Sequence, residues 1–202
     1  MYLAKAPFFL KWIYPKCIWN MDRSEKSVYL TFDDGPIPEI TPFVLELLAT
    51  YQIKATFFCV GENIKKNPHL FKQIVNAGHR IGNHTFNHLK GWKTKDESYL
   101  ENVAACQELT QTNLFRPPYG RATHSQIKAL YPDFKIIMWD VLSGDFDLNL
   151  SPEKCLQNVI QHTENGSIIV FHENIKSIPR VTYALPKAIE SLLAQGYKFK
   201  IF

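Results

Sequence analysis

The sequence lacks the paired cysteines that mark many metal-binding and redox proteins. Its four cysteines, Cys17, Cys59, Cys106 and Cys155, lie far apart and form no Cys-x-x-Cys pair. Cys59 and Cys106 fall inside apolar segments, where a thiol behaves as a small hydrophobic side chain. We therefore interpret the cysteines as buried free thiols.

Blocks of like charge are also missing. The formal net charge is +4, and the basic residues are scattered along the chain instead of forming a stripe. Because nucleic-acid binding needs a concentrated positive surface, this distribution predicts no nucleic-acid partner.

Long apolar runs are absent as well. No segment reaches the length of a membrane span, and lysines interrupt the apolar start of the chain before it reaches the length of a signal peptide. Trp12, Tyr14, Lys16 and Trp19 fit a membrane surface, but packing against the floor of the domain is the preferred interpretation. By default, the sequence indicates a protein that is cytoplasmic or peripheral to a membrane.

The sequence does contain a regular alternation of short β-branched or aromatic runs with longer segments of helical period. At 202 residues there is room for one sizeable domain. We divide the chain into an N-terminal extension, 1–27, that packs on the domain, and the domain itself, 28–202. The predicted strands are Val28–Phe32, Ala55–Val60, Arg80–Gly82, Leu114–Arg116, Phe134–Trp139, Ser167–His172 and Tyr197–Ile201. The predicted helices are Thr41–Tyr51, Pro68–Ala77, Asp96–Thr112, Ser125–Leu130, Pro152–Thr163 and Val181–Ala194.

This alternation predicts a parallel sheet covered by helices, an α/β fold. Seven strands and six helices in so short a chain favour a small, incomplete βα barrel, with an open doubly wound sheet as the alternative. Polar clusters follow the predicted strands: TFDDGP, GNHTFNH, RPPYG, WDVLSGDF and VFHEN. Since the carboxyl ends of barrel strands form one face, these clusters should converge there.

Two adjacent carboxylates, Asp33 and Asp34, come directly after the first predicted strand. Buried together, they would repel each other unless a cation or a hydrogen-bond partner offsets the repulsion. The alternative is a solvated turn before Gly35 and Pro36, because Asp-Gly is a common turn signal.

His84 and His88 are four residues apart, a spacing that places both imidazoles on one face of a helix and lets them hold one metal ion. With Asp34 they make the three-ligand set of a hydrolytic zinc site, whose fourth position is open for water or substrate. The other histidines lack such neighbours and are interpreted as surface or capping residues: His69, His79, His124 and His162.

The remaining polar segments supply further candidates. RPPYG, with two prolines after a strand, should hold Arg116 and Tyr119 rigidly on the same face. Asp145 is expected either to pair with Arg116 or to hold His172. The competing carboxylates, which a solvated position would also explain, are Asp140 and Asp147. His172 ends an apolar strand and is a candidate general acid, although a single histidine there is often structural.

Taken together and in this order, the five clusters resemble the motifs of the polysaccharide deacetylase family, the NodB-homology domain of carbohydrate esterase family 4. The first three match closely and the last two loosely, and the similarity spans about residues 28–202. The resemblance implies a deformed (β/α)7 barrel and a divalent metal that is usually zinc, with cobalt, nickel or manganese as alternatives. It also implies a carbohydrate substrate, with hydrolysis of N-acetyl groups on chitin-like or peptidoglycan-like glycans.

The resemblance also implies roles for individual residues. Asp33 would be the general base, and Asp34, His84 and His88 would be the metal ligands.

Four more residues take supporting or catalytic roles by the same resemblance. Arg116 would orient Asp33, and the backbone N–H of Tyr119 would help to bind the oxyanion. Asp145 would hold a catalytic group in place without contacting the substrate, and His172 would be the general acid.

The chain departs from the family pattern at a few positions. Leu142 and Phe146 stand where the family often has Asp and usually has Trp. Val170 replaces a common Leu beside the acyl-methyl pocket, and Glu173 replaces a frequent Asp. These differences concern the substrate more than the reaction type. Two alternatives therefore stay open: a deacylase of the same fold acting on O-acetyl esters or N-formyl sugars, and a catalytically silent glycan-binding protein.

Overall fold

A computed structural model describes residues 3–202, and within them nine strands form one curled sheet with helices packed against it. The strands are β1 (Cys17–Ile18), β2 (Ser27–Asp34), β3 (Thr56–Cys59), β4 (Arg80–Asn83), β5 (Leu114–Phe115), β6 (Lys135–Ile137), β7 (Val141–Leu142), β8 (Ser167–His172) and β9 (Lys198–Phe199). The α-helices are α1 (Leu10–Ile13), α2 (Thr41–Thr50), α3 (Gly61–Lys66), α4 (Pro68–Asn76), α5 (Asp96–Thr110), α6 (His124–Leu130), α7 (Pro152–His162) and α8 (Ile178–Ala194).

Neighbouring strands run parallel throughout the sheet, in the order β1-β6-β5-β4-β3-β2-β8-β7, and β9 pairs with the start of β2. All carboxyl ends therefore meet at one edge. In this register Asp33 lies between Phe58 of β3 and His172 of β8. The curled parallel sheet confirms the predicted deformed (β/α)7 barrel and not the open doubly wound sheet.

The connection between β6 and β7 joins the two ends of the sheet. Only three residues, 138–140, separate these strands, and this short segment passes from beside β1 to beside β8. The Met138 N–H donates to the Ile18 carbonyl at 2.8 Å, and the Asp140 N–H donates to the Ile168 carbonyl at 3.0 Å. Backbone hydrogen bonds of this segment thus link the two edges of the sheet, which end in β1 and β7.

Strand β2 divides its side chains between two cores, as the two-residue period of a strand requires. Val28, Leu30 and Phe32 belong to the large cluster formed with residues of α2, α7 and α8. Tyr29 belongs to a smaller cluster built from residues of β3, β5, β6 and β8, which fills the interior of the barrel. Asp33 has the same parity as Tyr29, so it stands at the open end of that interior.

The N-terminal segment contributes to the sheet through β1, which pairs with β6. Trp19 is buried there, whereas Trp12 is 76% exposed. Tyr14 stacks on His124 at 4.8 Å, and the Lys16 ammonium lies 4.8 Å from the centre of the Tyr131 ring. The boundary between residues 27 and 28 stays a prediction.

The predicted elements exist, with ends at most three residues from their predicted positions. Four short elements were not predicted: α1, β1, α3 and β7. All four cysteines are free and buried, which confirms their interpretation. None of the helices that the structure describes is both long enough and apolar enough to cross a membrane.

Candidate metal centre and active site

The last two residues of β2 point their carboxylates at different partners. Asp34 has φ 81°, in the left-handed region that residues other than glycine rarely adopt outside functional sites. Asp33 is only 4% exposed and pairs with Arg116, while Asp34 faces His84 and His88. The alternative of a solvated turn is therefore wrong, and the required positive group beside Asp33 is Arg116.

Asp34, His84 and His88 bring one ligand atom each to within 4.8 Å of the others, and no other such group occurs within residues 3–202. Oδ1 of Asp34 lies 3.1 Å from Nε2 of His88 and 3.7 Å from Nε2 of His84, yet it accepts no well-aligned hydrogen bond. A buried carboxylate oxygen with two imidazole nitrogens around it is the donor set of a hydrolytic zinc site. The residues present thus fit a divalent metal.

The protonation states of these residues also suit a metal. Nδ1 of His84 donates to the Arg116 carbonyl at 2.7 Å, which leaves Nε2 as the ligand atom. Burial lowers the pKa of His84 to about 4, so the ring is neutral at pH 7, as a ligand must be. Burial opposes the charge on Asp34, but the closeness of His88 and the neighbouring imidazoles holds its pKa well below its usual range.

The segment that carries both histidines is not helical, so the helical placement considered for them is wrong. Left-handed residues at Thr85 (φ 62°) and His88 (φ 56°) instead turn the chain back on itself. The two rings lie 5.1 Å apart. Asn102 of α5 accepts hydrogen bonds from the N–H groups of Phe86 and Asn87 at 2.8 and 3.0 Å. A turn that is hydrogen-bonded to Asn102 of α5 therefore brings the two imidazoles together, which helical spacing was expected to do.

Arg116 is fully buried and satisfied on every side. One terminal nitrogen donates to Oδ1 of Asp33 at 2.7 Å and to Oγ1 of Thr31 at 2.8 Å. Nε and the other terminal nitrogen donate to the carbonyls of Ile137 and Met138 at 3.2 and 2.8 Å. This fixed guanidinium holds Asp33 in one orientation and keeps it beside a positive charge.

Asp145 holds His172 and does not pair with Arg116. Its carboxylate accepts from Nδ1 of His172 at 2.8 Å and from the His172 N–H at 2.6 Å. Burial alone would lower the pKa of His172, but the Asp145 carboxylate overcomes this and raises it to about 9. Arg180 donates to the Asp145 carbonyl at 2.6 Å and fixes the loop. His172 is therefore protonated at neutral pH.

A cavity of about 380 Å³ brings the candidate residues together. Tyr119 (φ 60°) is exposed at its mouth, with its ring 4.7 Å from that of His88. Phe146 packs its ring 5.1 Å from His172. The polar and apolar lining residues include Asp33, Asp34, His84, His88, Tyr119, Leu142, Phe146, Val170 and His172. The expected convergence of separate motifs on one face is confirmed.

Some residues from the polar segments lie elsewhere. Asp140 is neither solvated nor beside His172: it is buried and paired with Lys5 and Arg23. His79 is a buried residue and not a surface one, and its Nδ1 accepts from the Ala55 N–H at 3.3 Å.

Glu173 and Asn174, the two residues after His172, were given no role in the site from the sequence. Nδ2 of Asn174 donates to Oδ2 of Asp34 at 2.7 Å and so fixes the oxygen that does not face the histidines. Glu173 is buried with no hydrogen-bond partner for either carboxylate oxygen. Their position in VFHEN was the available signal.

Comparison with known proteins identifies the family to which this fold and sequence belong. The family model described as polysaccharide deacetylase matches residues 20–131. A peptidoglycan-N-acetylglucosamine deacetylase of Bacillus cereus is 34% identical over 188 residues, covering 90% of this chain and 88% of that protein.

Two solved structures are also similar. The crystal structure of the Bc1960 peptidoglycan N-acetylglucosamine deacetylase, in complex with 4-naphthalen-1-yl-N-oxidanyl-benzamide, has a TM-score of 0.90 at 32% identity, covering 98% of this chain and 95% of that one. A pseudoenzyme of carbohydrate esterase family 4 from Bacillus anthracis has a TM-score of 0.78 at 29% identity, covering 90% and 66%.

Proposed function

This chain belongs to the polysaccharide deacetylase family, and we propose that it removes N-acetyl groups from an amino-sugar glycan with a divalent metal held by Asp34, His84 and His88. The observation that carries the proposal is that this ligand set shares one cavity with a buried carboxylate, Asp33, and a protonated imidazole, His172. Zinc is the metal we favour, because two imidazoles and one carboxylate are typical ligands of hydrolytic zinc.

The site must activate a poor electrophile, the amide carbonyl, and a poor nucleophile, neutral water. When bound, the metal supplies a Lewis acid that polarises the carbonyl and lowers the pKa of a water molecule. Asp33, which Arg116 holds in one orientation, takes the proton from the attacking water. We assign the backbone N–H of Tyr119 as a further donor to the developing oxyanion.

Departure of the amine requires a proton, because an unprotonated amine is a poor leaving group. His172 donates this proton to the amide nitrogen as the carbon–nitrogen bond breaks. The Asp145 carboxylate keeps His172 protonated and orients its ring so that Nε2 is the donating atom. Base and acid thus stand on adjacent strands, at register partners Asp33 and His172.

The Asp33→Asn variant tests the assignment of the base. We expect it to retain one equivalent of metal but to lose about 10²–10⁴-fold in kcat, the usual contribution of general base catalysis. His84→Ala should lose the metal as well. Acetate release and elemental analysis are the measurements, and Asp147→Asn is the matched control on a nearby loop. Parent-level turnover by Asp33→Asn would show that another group is the base.

The acyl group and the glycan require direct assays. Release of acetate or formate from acetylated chito-oligomers, peptidoglycan, acetylated xylan and formylated sugars distinguishes N-deacetylation from the two related activities. A catalytically silent binder is disfavoured because base, acid and metal ligands are all present. Absence of bound transition metal, with no turnover after addition of zinc, cobalt, nickel or manganese, would favour it.

A further inference from the structure

One wall of the active-site cavity is positively charged in a way that the deacetylation chemistry does not use. We call it the basic lip and define it as Lys90, Trp92, Lys93, Tyr119 and Arg121. Lys90, Tyr119 and Arg121 line the same cavity as the metal ligands. The lip therefore adjoins the place where the acylated sugar must lie.

The cations of the lip have no anionic partner. Among the residues that the structure describes, no carboxylate lies within 4.0 Å of the charged nitrogens of Lys90, Lys93 or Arg121. Lys93 and Arg121 lie close enough to Lys90 to interact with its charge. The only carboxylates lining the described cavity are Asp33 and Asp34, on its floor. Three like charges held together without a counter-ion indicate a surface that an anion completes.

Aromatic rings lie between these cations. The Lys90 ammonium lies 5.5 Å from the centre of the Tyr119 ring, and the Arg121 guanidinium lies 5.0 Å from that of Trp92. Both rings remain more than half exposed. Exposed aromatic faces beside cations suit a ligand that combines an apolar ring face with a negative charge.

The lip is held in shape from below by one buried side chain. Nε2 of Gln126 donates to the carbonyls of Gly91 and Thr94, at 3.2 Å each, and its Oε1 accepts from the Thr123 N–H at 3.0 Å. Gln126 is fully buried. The two loops that carry the cations are thereby fixed to each other. The cations of the lip are therefore held in a fixed arrangement, unlike lysines on unconnected surface loops.

We propose that the basic lip is a subsite for a carboxylate carried by the sugar next to the one being deacetylated, so that the substrate is an anionic glycan and not a neutral one. This inference rests on the proposed function, because it assumes that the acylated sugar occupies the metal cavity. It assigns Lys90 and Arg121 to substrate specificity, outside the bond-breaking step. Trp92 and Tyr119 support the apolar faces of the sugar rings.

The test compares three probes with equal sugar chain length. The first is peptide-free glycan strands from peptidoglycan, in which alternate sugars carry a carboxylate. The second is the same strands with their carboxylates converted to amides. The third is neutral N-acetylglucosamine oligomers. The variants are Lys90→Met, Arg121→Gln and their combination, with Lys72→Met and Lys128→Gln, exposed lysines on α4 and α6, as the matched control pair.

For the carboxylated strands we expect each single substitution to raise KM about two- to fivefold and the double substitution about tenfold or more, with kcat unchanged, as exposed ion pairs allow. KM should also rise with salt, because screening shortens the range of these charges. Amidated strands and neutral oligomers should show no such changes. Equal KM values for carboxylated and amidated strands, or an unchanged KM in the double variant, would overturn the proposal.

Binding measured without turnover distinguishes the two hypotheses. Asp33→Asn, combined with the lip substitutions, reports affinity for each probe by calorimetry. If the parent releases no acyl group but carboxylated strands still bind through the lip, the proposed function fails and the subsite stands. If strands with attached phosphate polymer bind and phosphate-free strands do not, the lip binds phosphate. That result would overturn the proposed carboxylate subsite.

Discussion

At the scale of single residues, the proposed mechanism makes the pair formed by Asp145 and His172 set the alkaline limit of activity. The carboxylate raises the pKa of His172 to about 9, so the protonated acid is lost only as the pH rises through that region. Asp145→Asn removes the charge and keeps the shape. We expect the alkaline limb of the kcat/KM profile to move at least one pH unit lower, with the acidic limb unchanged.

The measurement is a pH–rate profile of parent and variant with acetate release as the readout. Asp147→Asn serves as the control because it removes a carboxylate from the same loop region without touching His172. An alkaline limb that stays in place in Asp145→Asn would show that His172 is not the acid, or that Asp145 does not set its pKa.

Glu173 makes stability depend on pH in the opposite sense to most carboxylates. Burial, followed by the charges of Asp34 and Asp33, raises its pKa from 4.5 to about 8. Between these values the folded state binds more protons than the unfolded state, so the free energy of unfolding falls as the pH rises from about 4.5 to about 8. Glu173→Gln should remove this loss and make the metal-free protein more stable at pH 8 by a few kcal/mol, since each pKa unit corresponds to about 1.4 kcal/mol.

Urea unfolding of both proteins in a chelator, at pH 5 and pH 8, checks this expectation. The difference between parent and variant isolates Glu173 from the buried histidines, whose own titration is common to both. A variant with the same pH dependence as the parent would contradict the raised pKa.

Residue identities in the metal site were predictable because short motifs carry them. The spacing of Asp34, His84 and His88 indicates a metal site, and the resemblance to the family implies that Asp33 is the base. The position of Asn174 in VFHEN was a signal, but its role was not predictable, since its hydrogen bond to Asp34 joins positions 140 residues apart. The same holds for the basic lip, where the sequence showed only scattered cations and the fold placed Lys90 and Arg121 in the cavity lining.

At the scale of elements, long periodic segments were predictable and two-residue strands were not. Helix α8 has a clear apolar face and strand β8 is a continuous apolar run, so their existence follows from pattern. Strand β7 consists of Val141 and Leu142 inside a polar cluster, where only pairing with β8 defines it. Helix α3 follows β3 after one residue, without the turn signal that would separate them.

The turn that carries the candidate metal ligands is bound to helix α5 through Asn102, whose backbone carbonyl accepts from the Phe86 N–H at 3.1 Å and whose side chain adds further hydrogen bonds. Asn102 accepts from two backbone N–H groups of that turn and donates to Oδ1 of Asn87 at 2.9 Å. Asn102→Ala should lower metal affinity about tenfold, at the lower end of the effect of outer ligand supports. The free energy of unfolding should fall by only about 1 kcal/mol.

Competition with a coloured zinc chelator measures the affinity, and urea unfolding of the metal-free protein measures the stability. Glu101→Ala is the matched control, because Glu101 is the exposed neighbour on the same helix. Unchanged zinc affinity in Asn102→Ala would mean that the backbone holds the turn without help from the Asn102 side chain.

At the scale of the whole molecule, the candidate active site lies at one end of the barrel and a cluster of ion pairs lies at the other. The carboxyl ends of the strands hold the candidate metal site, while a partly buried ion cluster lies where β8 begins. Oδ2 of Asp140 lies 3.0 Å from the Lys5 ammonium and 2.9 Å from the Arg23 guanidinium, and it accepts from Oγ of Ser167 at 2.5 Å. This carboxylate connects the N-terminal segment to the junction of β6, β7 and β8.

The Asp140→Asn variant tests how much the molecule depends on that connection. Removing one partner from a buried ion pair costs about 3–5 kcal/mol, but Lys5 and Arg23 are about one-third exposed, so we expect a loss of about 2 kcal/mol in the free energy of unfolding. Urea unfolding gives this value, and the loss should shrink in a Lys5→Met, Arg23→Gln background because no cation then remains unpaired. Metal affinity should stay within twofold of the parent, since Asp140 does not line the cavity. An Asp140→Asn protein as stable as the parent would show that backbone pairing and the burial of Trp19 hold the N-terminal segment without this charge.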